Sequence, residues 1–161
     1  MPHKITVEHL FESGHRLPHL GGKCVSLHGH SWSVAVTVGA PQLNSAVTVV
    51  EFGALKAGLR RWIDEHLDHA TMLGACDRLI APLIAEGSRV FRFGAEHPAD
   101  AAEELAIGLS WPTVEAVAVL LGRVAESTLA DLPCAEGTRV ERVLVRETRL
   151  NTAVYEPMTP R

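Results

Sequence analysis

The sequence predicts an α+β fold in which an antiparallel sheet carries two helices on one face. Residues 31–38 alternate between apolar and small or polar side chains, the period of a strand. Residues 52–66 have the helical period instead, with an apolar stripe and charged residues outside it. The predicted strands follow one another as in hairpins and the helices lie in the middle of the chain, an order that favours an antiparallel sheet.

The first half of the chain contains three predicted strands. They cover residues 5–11, 31–38 and 46–51, and the last of these is rich in β-branched residues. Turn-forming residues between the second and third strands predict that these two form a hairpin. The helix over residues 52–66 follows directly.

The second half begins with a short helix over residues 77–86 and a short strand over residues 89–93. Residues 94–111 are rich in Ala and acidic side chains, and we interpret them as an insertion. A long helix follows to about residue 132, with Thr113 as its predicted N-cap. Strands over residues 138–148 and 152–155 complete a single domain that spans residues 1–161. Because two helices cover only one face of the sheet, the other face must meet water or another subunit.

The composition excludes several classes of protein. The chain has 161 residues, a formal net charge of −4 and no apolar run long enough for a membrane span. An acidic chain without a basic run is a poor nucleic-acid binder. Three widely spaced cysteines and the lack of a signal peptide predict a cytoplasmic protein with reduced thiols.

Histidines are concentrated near the start of the chain. His28 and His30 flank Gly29 in an extended segment, so their side chains point to the same side. With His15 as a third ligand, they could bind Zn²⁺ and leave one position open for water or substrate. A pair of exposed strand histidines without a metal explains the same spacing, and the spacing alone does not decide between the two.

Other polar residues are candidates for chemistry. Cys24 would be easily deprotonated beside a metal, although a small loop residue without a chemical role is an equal alternative. Asp68 can orient the ring of His69 for proton transfer, and a polar helix exit explains the same pair. Glu147 shares its strand parity with apolar residues and therefore needs a partner, which a ligand N–H edge or a nearby Arg would supply.

Taken together, these motifs resemble the family of 6-pyruvoyl-tetrahydropterin synthase and 6-carboxytetrahydropterin synthase. Each fragment is weak alone, but six of them in family order across nearly the whole chain make a specific match. The matching segments are residues 14–19 (GHRLPH), 23–31 (KCVSLHGHS), 50–56 (VEFGALK), 67–69 (LDH), 112–115 (PTVE) and 146–148 (RET), followed by Tyr155.

The resemblance implies the tunnelling fold, with a four-stranded antiparallel sheet and two helices on one face. It also implies barrel-like trimers that stack into homohexamers. In such an assembly the active sites would lie between subunits, with Cys24 and the Asp68–His69 pair supplied by different chains.

The resemblance further implies a role for each candidate residue. His15, His28 and His30 would bind zinc, which would polarise the side-chain hydroxyls of dihydroneopterin triphosphate. Cys24 would be the general base, and His69, oriented by Asp68, would transfer protons on the opposite side of the substrate. Glu147 would anchor the pterin ring, and Thr113 and Glu115 would line its pocket. Arg16, Lys23 and Lys56 are candidates for the triphosphate by charge only.

The four-residue spacing from Cys24 to His28 resembles the bacterial queuosine-pathway branch. This favours 6-carboxytetrahydropterin synthase, which releases acetaldehyde and triphosphate. The alternatives are the pyruvoyl synthase reaction, which loses triphosphate only, and a pterin-binding homologue without catalysis. Gly74 stands where the family usually has Asn, and the segment 94–111 exceeds that of a typical member, which leaves the substrate open.

Overall fold

The computed structural model describes residues 1–158 and has an α+β architecture. Its strands are β1 (His3–His15), β2 (His28–Ala40), β3 (Ala70–Gly74), β4 (Val90–Phe93), β5 (Arg139–Arg146) and β6 (Thr152–Tyr155). Its helices are α1 (Phe52–His66), α2 (Ile80–Ala85), α3 (Ala101–Glu104) and α4 (Val114–Ala130). A short 3-10 turn, Gly22–Val25, lies in the connection between β1 and β2.

The strands form one six-stranded mixed sheet in the order β4-β3-β1-β2-β5-β6. The prediction of a four-stranded antiparallel sheet is therefore wrong in strand number and in direction. Strands β1, β2, β5 and β6 are antiparallel neighbours, but β3 runs parallel to both β1 and β4. Helix α1 connects β2 to β3 and carries the chain past β1, so that β3 pairs with the edge of β1 that faces away from β2. A long connection through a helix allows such parallel pairing.

The predicted strand over residues 46–51, and with it the predicted hairpin, is also wrong. The side chain of Asn44 accepts hydrogen bonds from the backbone N–H groups of Ala46 and Thr48, which folds this segment into a turn. Val47 has a φ of 60°, a conformation outside the strand region. Val49 and Val50 are buried even so, which explains the apolar pattern without a sheet partner.

The core lies between one face of the sheet and helices α1 and α4. Val34, Val36 and Val38 of β2 are buried on this face, whereas Ser33, Ala35 and Thr37 are only partly buried on the other. The expected alternation of β2 is confirmed.

The predicted helix 52–66 matches α1, and the long helix after Pro112 matches α4 within two residues at each end. Glu51 caps α1 through its carboxylate, which accepts hydrogen bonds from the N–H groups of Gly53 and Ala54. Thr113 caps α4 as predicted, accepting from the N–H of Ala116. The segment 94–111 contains one helical turn, α3, and leads into α4.

Candidate metal centre and active site

Three histidines meet where β1 ends and β2 begins. His15 is paired with His28 across the two antiparallel strands, and His30 lies two residues further along β2. One ligand atom from each of the three rings lies within 4.8 Å of the others. His15 is completely buried, and His28 and His30 are partly buried. The predicted set of three histidines is therefore brought together.

Backbone carbonyls orient two of these rings. His15 Nδ1 donates to the carbonyl of Pro112 at 2.9 Å, and His28 Nδ1 donates to the carbonyl of Ser26 at 2.7 Å. A proton on Nδ1 leaves Nε2 with a free lone pair. This is the arrangement by which proteins orient histidines that ligate a metal.

The remaining nitrogens explain why a metal fits here. Within residues 1–158, the buried Nε2 atoms of His15 and His30 have no hydrogen-bond partner. Buried polar atoms without a partner are costly, and a ligand that accepts their lone pairs removes that cost. Three imidazole nitrogens are a donor set suited to Zn²⁺, and a three-histidine site leaves a fourth position open.

Burial lowers the pKa of His15 and of His30, although the nearby Glu147 carboxylate opposes this shift. Both rings are thus favoured in the neutral form, which is the form that ligates a metal. Glu147 Oε1 lies 3.2 Å from His15 Nε2 and 3.6 Å from His30 Nε2. Since both nitrogens carry lone pairs in the neutral rings, they do not donate to this carboxylate, and the partner that the sequence predicts for Glu147 stays a prediction.

Glu147 directly follows β5, and its N–H donates to the carbonyl of Asn151 in the turn to β6. The side chain of Thr148 stabilises this turn by accepting from the N–H groups of Leu150 and Asn151. The Glu147 carboxylate is therefore held at the histidine cluster by a short, hydrogen-bonded turn.

Cys24 lies in the 3-10 turn between the two strands that carry the histidines and is partly buried. Its carbonyl accepts from the N–H of Leu17 at 2.6 Å, which draws the two halves of this loop together. Its thiol is not part of the three-nitrogen cluster. Cys24 is placed on the loop that connects two of the predicted ligands.

Asp68 and His69 follow α1 and form a pair of their own. His69 Nδ1 donates to Asp68 Oδ2 at 2.8 Å, and Asp68 Oδ1 accepts from the N–H of Glu12 at the same distance. Burial would raise the pKa of Asp68, but these donors outweigh it and the pKa is lowered. The carboxylate therefore stays charged beside the His69 ring.

Within one chain, the Asp68–His69 pair is not part of the cluster of three ring nitrogens. The His69 side chain is 76% exposed and borders a shallow depression whose lining also includes Glu12, Gly29, Ser31 and His30 of the cluster. His69 itself has a φ of 56°, which turns the chain sharply before β3. Its ring is thus presented outward.

Thr113 and Glu115 lie at the start of α4. The Thr113 hydroxyl is used as the helix cap, accepting from Ala116 N at 3.2 Å, and Glu115 is exposed in the first turn. Thr113 directly follows Pro112, whose carbonyl orients His15. Of this pair, Thr113 is tied to the cluster through the backbone.

Sequence reasoning missed the groups that support the site. The carbonyls of Pro112 and Ser26 carry no side-chain signal, so no pattern could have identified them. It also missed the pairing of Arg16, which directly follows His15, with Asp77. The charge of Arg16 requires an acidic partner once its burial is known, but the sequence alone does not show that burial.

No helix in the described part of the chain is both long and apolar enough to cross a membrane.

A family model described as 6-pyruvoyl tetrahydropterin synthase matches residues 4–158. Among relatives, a 6-carboxy-5,6,7,8-tetrahydropterin synthase from Rickettsia bellii is 34% identical over 83 residues, which cover 50% of this chain and 60% of that protein. The protein of the same name from Aquifex aeolicus is 29% identical over 138 residues, covering 83% of this chain and 76% of that protein. The matched segments thus span about half to three quarters of the relatives' length.

Solved structures share the fold. An uncharacterized protein from Wolinella succinogenes aligns with a TM-score of 0.68 at 24% identity, over 97% of this chain and 98% of that one. A 6-pyruvoyl tetrahydropterin synthase from Plasmodium vivax aligns with a TM-score of 0.64 at 18% identity, over 96% and 97% of the two chains. The resemblance predicted from the motifs is confirmed by the family match over nearly the whole chain. The chain belongs to the 6-pyruvoyl tetrahydropterin synthase family.

Proposed function

We propose that this protein converts 7,8-dihydroneopterin triphosphate and one water to 6-carboxy-5,6,7,8-tetrahydropterin, with release of acetaldehyde and triphosphate. The observation that carries this proposal is the cluster of His15, His28 and His30, in which two buried Nε2 atoms lack a hydrogen-bond partner in the described chain. Relatives named 6-carboxy-5,6,7,8-tetrahydropterin synthase support the carboxy product.

In this proposal the cofactor is zinc, held by His15, His28 and His30. The ion supplies Lewis acidity that makes the hydroxyls of the substrate side chain more acidic. The chain's own contribution is to present neutral imidazoles in fixed orientations. The carbonyls of Pro112 and Ser26 do this for two of the three rings.

Cys24 is the proposed general base for the side-chain carbons of the substrate. It is positioned by the closed loop between β1 and β2, both ends of which are metal ligands. His69 transfers protons on the opposite side of the substrate, with Asp68 fixing the tautomer of its ring through the Nδ1 hydrogen bond.

The outward placement of His69 supports active sites that are shared between subunits. Because the His69 ring is largely exposed and is not part of the three-nitrogen cluster, we propose that His69 acts on substrate bound at a neighbouring copy. The outer edge of β1 before Glu12 supports assembly, since β3 pairs with residues 13–15 on the edge that faces away from β2 and the backbone of Glu12 is hydrogen-bonded to Asp68 and His69. The proposed assembly is a homohexamer built from two barrel-like trimers, located in the cytoplasm.

Glu147 is the proposed anchor of the pterin ring. Its carboxylate is fixed at the cluster and can accept two hydrogen bonds from the amino and ring N–H groups of a pterin. Thr113 and Glu115 line the same pocket in this proposal. The hydroxyl of Thr113 accepts from the helix and keeps its proton free to donate.

The test is incubation of the purified protein with dihydroneopterin triphosphate, followed by mass spectrometry of the pterin and an assay for acetaldehyde. We expect 6-carboxytetrahydropterin and one acetaldehyde per turnover, zinc in the purified protein, and loss of turnover in Cys24→Ala. Cys76→Ala, which changes an exposed cysteine, is the matched control. Absence of zinc together with full turnover in Cys24→Ala would contradict the proposal.

A second candidate is the pyruvoyl synthase reaction, favoured by the likeness to structures named 6-pyruvoyl tetrahydropterin synthase. That reaction retains the three-carbon side chain and yields no acetaldehyde, so the same incubation distinguishes the two. A protein that binds the pterin without consuming it would be the inactive homologue.

A further inference from the structure

Trp111 connects three separate parts of the chain. Its indole ring stacks on the ring of His19, with ring centroids 4.7 Å apart and an angle of 14° between the planes. It also packs directly on the backbone of Gly74, at the end of β3. The next residue, Pro112, supplies the carbonyl that orients His15.

Gly74 leaves the space that Trp111 occupies. A Cβ added at Gly74 would lie 2.6 Å from an atom of the Trp111 ring and 2.7 Å from the carbonyl oxygen of Ser110. Such distances are far inside van der Waals contact. The indole is therefore seated on bare backbone at a fixed height above β3, and any side chain at position 74 would displace it.

The partner of this ring, His19, lies in the middle of the Cys24 loop, which we define as residues 16–27 between β1 and β2. The start of the loop is held by the ion pair of Arg16 with Asp77. Its inner backbone hydrogen bonds are few, from Leu17 N to Cys24 O, from Leu20 N to Leu17 O and from Ser26 N to Lys23 O. His19 is exposed, and its stacking on Trp111 is the contact that joins the middle of the loop to the segment before α4.

We propose that Trp111 and His19 are positioning residues that hold the Cys24 loop in its working arrangement. This inference rests on the proposed function only in assigning proton transfer to Cys24. An offset aromatic pair of this kind contributes a modest stabilisation. Its loss frees the middle of the loop while the two ends remain fixed in β1 and β2, so Cys24 spends less time in the position that reacts.

The experiment measures hydrogen exchange and steady-state kinetics on the zinc-loaded protein. In His19→Ala and in Trp111→Ala we expect exchange of the Leu17, Leu20 and Ser26 amides to accelerate about threefold to tenfold. We expect kcat to fall by a similar factor and KM to stay within about twofold, because the loop positions a base rather than the substrate.

Two further variants separate positioning from a general structural role. His19→Phe keeps a ring for stacking, and both exchange and kcat should stay within about twofold of the unmodified protein. In the double variant His19→Ala/Trp111→Ala, kcat should fall no further than in the single variants, because both remove the same contact. His97→Ala, in the segment that precedes Trp111, is the matched control for loss of a histidine.

Unchanged loop exchange in His19→Ala would overturn the inference, as would faster exchange with an unchanged kcat or additive losses in the double variant. His19→Ala decides the matter if Trp111→Ala fails to fold, since His19 is exposed. If the unmodified protein does not turn over the pterin, the proposed function fails. Loop exchange in the same variants then still decides whether the stack holds the loop.

Discussion

His15 and Arg16 are consecutive, buried and polar, yet their polar atoms are used in opposite ways. The Arg16 guanidinium donates from Nε to one oxygen of Asp77 and from a terminal nitrogen to the other. Asp77 accepts a further bond from Leu79 N, and its side chain is fully buried. In the histidine cluster, by contrast, two buried nitrogens are left without a hydrogen bond in the described chain.

This contrast separates polar groups that hold the fold from polar groups that await a ligand. A buried charge is tolerated when its partner is supplied by the chain itself, as Asp77 supplies it for Arg16. Arg16 is thereby committed and is a poor candidate for the triphosphate. In the cluster of His15, His28 and His30, the cost of burying the ring nitrogens is offset only when an external group accepts their lone pairs. The pair should therefore govern stability and the cluster should govern binding.

The largest expected effect comes from breaking the pair. Asp77→Ala leaves the Arg16 charge buried without a partner and should lower the free energy of unfolding by about 3–5 kcal/mol. Urea unfolding followed by circular dichroism measures this change. Asp131→Ala, an exposed aspartate at the end of α4, should change it by less than about 0.5 kcal/mol. A loss below about 1 kcal/mol in Asp77→Ala would show that the pair is not structural.

Removing one histidine of the cluster should lower zinc affinity and leave stability nearly unchanged. His28 is only partly buried, so His28→Ala should change the unfolding free energy of the metal-free protein little. Its zinc affinity should fall at least about a hundredfold, because loss of a group that only orients a ligand already costs about tenfold to a hundredfold. Competition with a chromophoric chelator measures this. His97→Ala should bind zinc as the unmodified protein does, and equal affinity in His28→Ala would exclude the cluster as the zinc site.

Acid should weaken the ion pair of Arg16 and Asp77, because protonation removes the charge of the Asp77 carboxylate. Burial would raise the pKa of Asp77, but the hydrogen bonds from Arg16 and Leu79 outweigh it and the pKa lies below its usual 3.8. The pair's contribution is fully present above that value and is lost as the pH falls through the lower folded-state pKa. Urea midpoints at pH 7, 4.5 and 3 should decline more steeply in the unmodified protein than in Asp77→Asn. Parallel declines would contradict this assignment.

The sequence predicts the cluster well because its ligands are close together and on strands. His28 and His30 share a face by the two-residue period, and β1 pairs with β2 so that His15 faces His28. It does not predict the pair, because Arg16 and Asp77 are 61 positions apart and no period connects them. Supports such as the Pro112 carbonyl are backbone groups that every residue has, so no side-chain pattern marks them.

The errors in the fold have the same origin. Residues 46–51 have the β-branched composition of a strand, but the Asn44 side chain takes the local N–H groups that a sheet would need. Strand β3 has only five residues without alternation, and it follows His69 in a conformation with positive φ. Its pairing with β1 depends on tertiary contacts brought together by α1. Local patterns identify the long helices and the strand β2, whereas short, non-local pairings escape them.

Glu147 lies beside the histidine cluster, and a substitution there shows whether its carboxylate acts on the substrate or on the three histidine rings. Glu147→Gln keeps the shape but removes a charge-assisted acceptor, so kcat/KM for the pterin triphosphate should fall about tenfold to a hundredfold. Zinc affinity should change by less than about tenfold, since the carboxylate is not one of the three ligands. Glu126→Gln, on the exposed side of α4, is the control. A larger loss in zinc affinity than in kcat/KM would make Glu147 part of the metal site.

The smallest effect should come from the start of α4, where the helix cap Thr113 directly follows the residue whose carbonyl orients His15. Thr113→Ala removes the cap that accepts from Ala116 N and should cost about 1 kcal/mol of stability, which Thr113→Ser should restore. Because the preceding carbonyl of Pro112 holds His15 Nδ1, fraying of this turn should also loosen one ligand and lower zinc affinity about twofold to tenfold. Chelator competition on both variants decides the matter: recovery in Thr113→Ser means that the cap orients the ligand through the backbone. Unchanged zinc affinity in Thr113→Ala means that the α4 cap and the histidine cluster are energetically independent, although Thr113 directly follows Pro112.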